Sequence, residues 1–198
     1  NATIRAQPGT RDLNNVPSLR ARIVAVKGVP VDEVRTTPET AFALKGDRGL
    51  TYAATPPPGT HLAAGARWPA DYDGPPLVSF DAGLAKGWGV GIGDVIRVNV
   101  LGRDLDLKVA SLRDIAWQSL SINFFMVASP GLLARAPHTH IATVHVDGAD
   151  QDAVLKAVTD ALPNVTGIRV SDVLASIAAL LDQIAAALTA TGGLTLTA

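Results

Sequence analysis

No cysteine occurs among the 198 residues. This excludes a disulfide scaffold, thiolate zinc or iron–sulfur centres and a cysteine nucleophile, and it leaves the redox compartment open. A run of basic residues is also missing. Seventeen Lys and Arg against eighteen Asp and Glu give a formal net charge of −1, which argues against a nucleic-acid groove or a patch for anionic membranes. There is no clean membrane-spanning segment, no signal peptide, no internal repeat and no low-complexity tract. Charge of either sign is sparse: 18% of residues are charged, alanine occurs 32 times, and the mean hydropathy is +0.24. The chain is therefore unusually apolar for a soluble domain. A chain of this length forms one domain or two small lobes sharing a core, and buries enough surface to need no covalent or metal staple.

Both ends read as cut from something larger. The chain opens at Asn1-Ala2 without methionine and stops in Thr191-Gly192-Gly193-Leu194 and a short polar tail. On this expectation the parent gene continues past Ala198 into an apolar stretch of about 20 residues, and a stop codon there would overturn it. Ser171-Asp172 can cap a helix running to Ala190, with Asp172 favourable in the first turn. Val173, Ile177, Leu180, Leu181, Ile184 and Leu188 form one apolar stripe at helical spacing, and the opposite side is mostly alanine. Two readings stay open: a core helix, or a stalk whose continuation enters a bilayer. Asp182 keeps this stretch itself outside hydrocarbon, where a central carboxylate costs roughly 3 kcal/mol.

Residues 4–8 read as the frayed end of an element. Leu19–Val26 alternates as a strand closed by Gly28. Residues 31–60 are loop-rich, with a short helix expected near Thr37–Leu44 and a stop at Pro56-Pro57-Pro58-Gly59. Ser79 is expected to cap a helix over Phe80–Lys86 that ends at Gly87. Val95–Val100 and Leu105–Ala110, joined by a turn at Leu101-Gly102-Arg103-Asp104, read as a hairpin. Ile122–Ala128 is an extended run and Ile141–Val146 a strand. Gln151–Leu162 reads as a helix, and Val165–Val170 as a strand feeding the terminal helix. The class is α+β (mixed α/β): antiparallel hairpins, a βαβ-like unit and a long C-terminal stalk-like helix.

Candidate sites are few. Gly87-Trp88-Gly89-Val90-Gly91-Ile92-Gly93 suggests a phosphate loop, but such loops run strand, glycines, helix, and here the order is helix, glycines, strand with no GK[ST] ending. His138 and His140, with His145 further on, could share a strand face, yet zinc needs three or four convergent ligands and no carboxylate partner is signalled. Asp71-x-Asp73-Gly74 begins like a calcium loop and lacks the remaining ligands. Ser119 and Ser121 lie outside any G-x-S-x-G elbow. Trp117, Phe124, Phe125 and Met126 read as a core patch rather than a ligand box.

The run Ala110-Ser111-Leu112-Arg113-Asp114-Ile115-Ala116-Trp117-Gln118-Ser119-Leu120-Ser121-Ile122-Asn123-Phe124-Phe125-Met126-Val127 leads into Ser129-Pro130-Gly131 and Pro137-His138-Thr139-His140-Ile141. It resembles the signature of the large extracytoplasmic domain of FtsX/MacB-like ABC transporter permeases. It is most similar to the subfamily with two such domains, named for a lysophospholipase-related transport system. Gly91-Ile92-Gly93-Asp94 resembles that family's G-D-x-I-x-V hairpin. Pro163–Val170 followed by Asp172-Val173-Leu174 resembles its strand and pre-membrane helix. The resemblance covers residues 5–190, as the second of the two periplasmic domains.

The resemblance implies a permease domain without chemistry of its own, with no catalytic residue, metal or cofactor. Gly93, Asp94, Trp117, Asn123, Phe124, Pro130 and Gly131 would be structural motif residues. A membrane-proximal lobe is expected from about 5–30 plus 137–190, and a distal lobe from about 31–136. The implied partners are the transmembrane helices and first periplasmic domain of the same permease, a cytoplasmic ABC ATPase subunit, and a cargo or periplasmic partner, with no nucleic acid. The implied location is the inner membrane, with this segment periplasmic. The rival readings are a secreted serine hydrolase and a free-standing peptide- or lipid-binding module.

Overall fold

Two-residue turns set the registers on which the sheet is built. Lys27 and Gly28 (φ 55° and 78°) and Leu101 and Gly102 (φ 50° and 82°) are all left-handed, the combination that matches strand twist in a tight hairpin. The computed structural model describes residues 2–55, 57, 60–116 and 122–194. In order these form α1 (Ala2–Arg5), β1 (Thr10–Val26), β2 (Val29–Pro30), β3 (Asp47–Tyr52), β4 (His61–Gly65), β5 (Leu77–Asp81), α2 (Ala82–Trp88), β6 (Val95–Val100) and β7 (Arg103–Asp114). Then follow β8 (Met126–Ala128), β9 (Thr139–Val146), α3 (Gln151–Ala161) and α4 (Val170–Leu194). The class is mixed α+β, mostly strand, with a long C-terminal helix.

The chain divides into two compact units, Asn14–Thr143 and Asn1–Leu13 with Val144–Ala198. In the larger unit the pairings close on themselves. β1 pairs β3, β3 pairs β8, β8 pairs β5, β5 pairs β7, β7 pairs β6, and β6 returns to β1. The β3–β8 and β5–β7 pairs are parallel and the other four are antiparallel. A closed ring leaves no open edge among its members, and β2 and β4 attach outside it to β1 and β7. Ile23, Leu50, Val78, Phe80, Ile96, Val98, Leu107, Val109 and Met126 are all essentially buried and form the core. They sit at alternate positions on β6 and β7, as two-residue side-chain periodicity requires.

In the smaller unit α3 buries Val154 and Val158. Arg11 pairs with Asp147 at 2.9 Å, and Arg169 contacts both Asp152 and, at 2.7 Å, Asp172. α4 is different: Val173, Leu174, Ile177, Leu180, Leu181 and Ile184 are each about half exposed. No helix among the described residues is long and apolar enough to cross a membrane.

Several local expectations are corrected. The helix after β5 is capped by Asp81, whose Oδ1 accepts the Leu84 N–H at 2.8 Å, and Ser79 belongs to the strand before it. β1 starts at Thr10, nine residues before the alternating stretch. Residues 37–44 hold only a 3-10 turn, Ala41–Leu44, and Ala2–Arg5 is a short helix. Residues 165–169 form no strand and α4 begins at Val170, so the expected strand after α3 is absent. In this segment Gly167 packs against Leu155, where any Cβ would lie 2.2 Å from the Leu155 Cδ1.

Candidate functional site

The glycine-rich segment is a self-closed turn. α2 ends at Gly89 in the left-handed conformation (φ 65°), which donates to the Lys86 carbonyl. Asp94 Oδ2 accepts the Gly91 N–H at 2.8 Å, and Lys27 Nζ donates to the Gly89 carbonyl at 3.0 Å. The Gly91 N–H, with Lys27 adding less, holds the Asp94 carboxyl below its ordinary range. Gly93 (φ 90°) donates to the Val109 carbonyl at 2.8 Å, binding the turn to β7. The amides a phosphate would need are thus engaged within the turn, and a carboxylate faces them.

The two histidines do lie together. The His138 and His140 rings are 5.1 Å apart. Tyr52 Oη is 3.3 Å from His138 Nε2, His138 Nδ1 is 2.8 Å from the Ala136 carbonyl, and His140 Nδ1 is 2.9 Å from Asn15 Oδ1. Three of the four ring nitrogens are therefore occupied by protein groups. Among the described residues no set of three potential metal ligands converges, on the histidines or on Asp71 and Asp73. Ser119, Ser121 and Trp117 lie outside the described residues.

The remaining motif residues sit around the short strand β8. Phe124 and Met126 are buried, and the Phe125 ring packs against Phe42 at 6.0 Å with the planes tilted by 60°. Asn123 Nδ2 donates to the Ala116 carbonyl at 3.3 Å. The Pro130 carbonyl receives the Leu133 and Ala134 N–H groups at 2.9 and 3.1 Å, and Gly131 follows with φ 32°. Ser129 exchanges two bonds with Leu77, of 2.9 and 3.0 Å, locking β8 to β5.

Beside these residues lies Arg113, which with Asp81 is one of two buried charged residues among those described that the sequence reading did not single out. Leu107, Val109, Ser111 and Arg113 occupy successive buried positions on one face of β7, and Arg113 is only 4% exposed. An arginine ending a row of inward apolar residues is the available sequence signal. One of its Nη atoms donates to the Phe124 carbonyl, while its Nε has no hydrogen-bond partner. Asp81 is its register neighbour on β5, but that carboxylate caps α2. Burial pushes the Arg113 guanidinium down to about 10, against the attraction of Asp81 and together with the repulsion of Arg67. Ser111 Oγ donates to Ser79 Oγ at 2.9 Å. Arg67, Trp68, Ser79, Arg113, Thr55 and Val127 line a small cleft with about 20 Å³ open to a water-sized sphere.

No family model matches the chain. Among solved structures, a domain of a protein designated a permease, from Porphyromonas gingivalis, overlaps 85% of this chain and 76% of its own, with a TM-score of 0.45 and 15% identity. Among curated proteins, the chain is 32% identical over 127 residues to the uncharacterized ABC transporter permease YbbP of Escherichia coli (strain K12). The matched stretch is 64% of this chain and 15% of that relative, so the chain corresponds to a small part of the relative's length. The chain is similar, over most of its sequence, to part of an ABC transporter permease.

Proposed function

We propose that the chain is the extracytoplasmic domain of an ABC transporter permease subunit of the FtsX/MacB-like kind, and has no chemistry of its own. The observation that carries this reading is the 32% identity to an ABC transporter permease. Geometry supports it. The glycine turn before β6 is filled by Asp94 and Lys27, in keeping with ATP hydrolysis on a separate subunit. α4 is 25 residues long, a rod of about 37 Å, with apolar residues exposed along its described length, a form suited to passing on motion. In this reading ATP-driven closure of cytoplasmic subunits moves the transmembrane helices, α4 relays the movement, and a cargo or partner outside the inner membrane is released. In this reading a membrane-proximal lobe is drawn from about 5–30 plus 137–190 and a distal lobe from about 31–136, whereas the compact units divide after Leu13 and Thr143. Gly93, Asp94, Asn123, Phe124, Pro130 and Gly131 are the structural motif residues of this reading, around β6 and β8, and the motif's Trp117 lies outside the described residues.

The test uses a full-length gene product in which any cysteine outside these 198 cysteine-free residues has been replaced by serine. Asp182→Cys, introduced in the full-length gene product, is treated in intact cells with a membrane-impermeant maleimide. Labelling before lysis, with the protein in the carbonate-washed membrane fraction, is the expected result. Labelling only after lysis, or a protein recovered from the soluble cytosol, overturns the reading.

A further inference from the structure

Alternate residues of an extended chain leave the same face, and His138 and His140 stand with their ring centres 5.1 Å apart and their planes inclined at 61°. Thr139 between them is pinned to β1 by its hydroxyl, which donates to the Ser18 carbonyl at 3.2 Å. Hydrogen bonding fixes the tautomer of both rings. The Ala136 carbonyl, 2.8 Å from His138 Nδ1, can only accept, so that nitrogen carries the proton. Asn15 Oδ1, 2.9 Å from His140 Nδ1, does the same for the second ring. In its neutral form each imidazole therefore presents a lone pair at Nε2. On His138 that lone pair meets the Tyr52 hydroxyl across a long 3.3 Å contact. On His140 no protein group among the described residues takes it. All of these residues belong to the unit Asn14–Thr143.

We propose that His138 and His140 together bind a divalent transition-metal ion of the kind that favours imidazole, copper(II) most tightly. An imidazole whose Nδ1–H is held by a protein oxygen, with its Nε2 lone pair outward, is the form in which histidine ligates metals. Here a backbone carbonyl and an amide oxygen supply the outer shell for which the sequence signalled no carboxylate. The spacing fits a single ion. With metal–nitrogen bonds of about 2.0 Å and an angle between square-planar and tetrahedral, two rings have their centres ~4.5–5.2 Å apart. Copper(II) takes two adjacent imidazoles with water in its other positions, and it stands above zinc(II) in affinity for nitrogen donors. Magnesium wants an oxygen cage, which the pair does not offer. The ion replaces the Tyr52 contact, the longest of the three, and leaves both Nδ1 bonds in place. This assignment rests on the histidine pair alone and stands or falls apart from the transporter reading.

Copper(II), zinc(II) and magnesium chlorides are titrated calorimetrically into the 198-residue chain, its α-amine acetylated to remove a competing nitrogen. Copper should bind with unit stoichiometry, zinc more weakly and magnesium not measurably. His138→Gln and His140→Gln should each weaken copper binding about tenfold or more. The double change should cost no more than either single one, because a chelate is lost with its first ligand. His61→Gln and His145→Gln, which spare the pair, should leave the affinity unchanged. Losses under about twofold in the single variants, additive losses, an equal loss in His145→Gln, or magnesium binding as tightly as copper would overturn the proposal. Should His138→Gln fail to fold, the exposed His140→Gln and the His145→Gln control still decide it.

Discussion

Lys27 Nζ stands 3.3 Å from Asp94 Oδ2, tying the β1–β2 turn to the loop that opens β6. The same carboxylate accepts the Gly91 N–H, so one side chain fixes two turns. Asp94→Ala should lower stability by about 1 kcal/mol, measured as a urea midpoint at neutral pH.

The pH dependence of that contribution has a definite sign. The folded carboxyl titrates below its ordinary 3.8. Its stabilisation is complete above that unfolded value and is lost as pH falls through the lower folded value. The difference between the natural chain and Asp94→Ala should therefore be constant from pH 7 to about 5 and shrink below about 4. A difference that grew on acidification would contradict the geometry.

Leu101 is a leucine where the backbone asks for asparagine. It has φ 50° and is 64% exposed, in a two-residue turn completed by Gly102. Leu101→Asn should raise stability by about 0.5–1 kcal/mol in thermal unfolding, since the turn tolerates Asn-Gly without strain.

The Ser79–Ser111 hydroxyl pair offers a double-mutant cycle. Each single change to alanine leaves a buried hydroxyl without its 2.9 Å partner. Ser111→Ala should cost about 1–2 kcal/mol, and the double change less than the sum of the singles. Additive costs would show that the two hydroxyls do not act together.

Gly65 lies hard against the backbone of β7. Its φ is 79°, and a Cβ there would fall 2.3 Å from the Ala110 carbonyl oxygen and 2.9 Å from Ser111 Cα. Gly65→Ala should destabilise by about 2 kcal/mol or more and loosen β4 from β7, visible as faster amide exchange over residues 61–65. By contrast, Ile177→Ser on the exposed side of α4 should move stability by less than about 0.5 kcal/mol.

The elements legible in the sequence are those whose signal is local. The β6–β7 hairpin, β9, α3 and α4 each carry their own periodicity or turn chemistry. β3 lay hidden in the stretch 31–60 read as loop-rich, and β4 carried no strand signal, because Asp47-Arg48-Gly49-Leu50 and His61-Leu62-Ala63-Ala64 do not alternate; their pairing with β1, β8 and β7 makes them strands. The cap on α2 was misplaced because Ser79 and Asp81 both favour that position, and only Asp81 has its oxygen at Leu84 N–H. Arg113 was embedded in the quoted motif, yet its isolation depends on what Asp81 does elsewhere. Ring closure is a long-range property that no window of sequence carries.

Closure also fixes an order of events in time. β8 is three residues long and is the strand that links β3 to β5. During synthesis β3 is complete at Tyr52, but its partner ends at Ala128. At about 5–20 residues per second the ribosome takes roughly 4–15 s to deliver it. Once β5 is also made, at Asp81, the nascent chain presents one edge of β3 and one of β5 with nothing between them until β8 arrives.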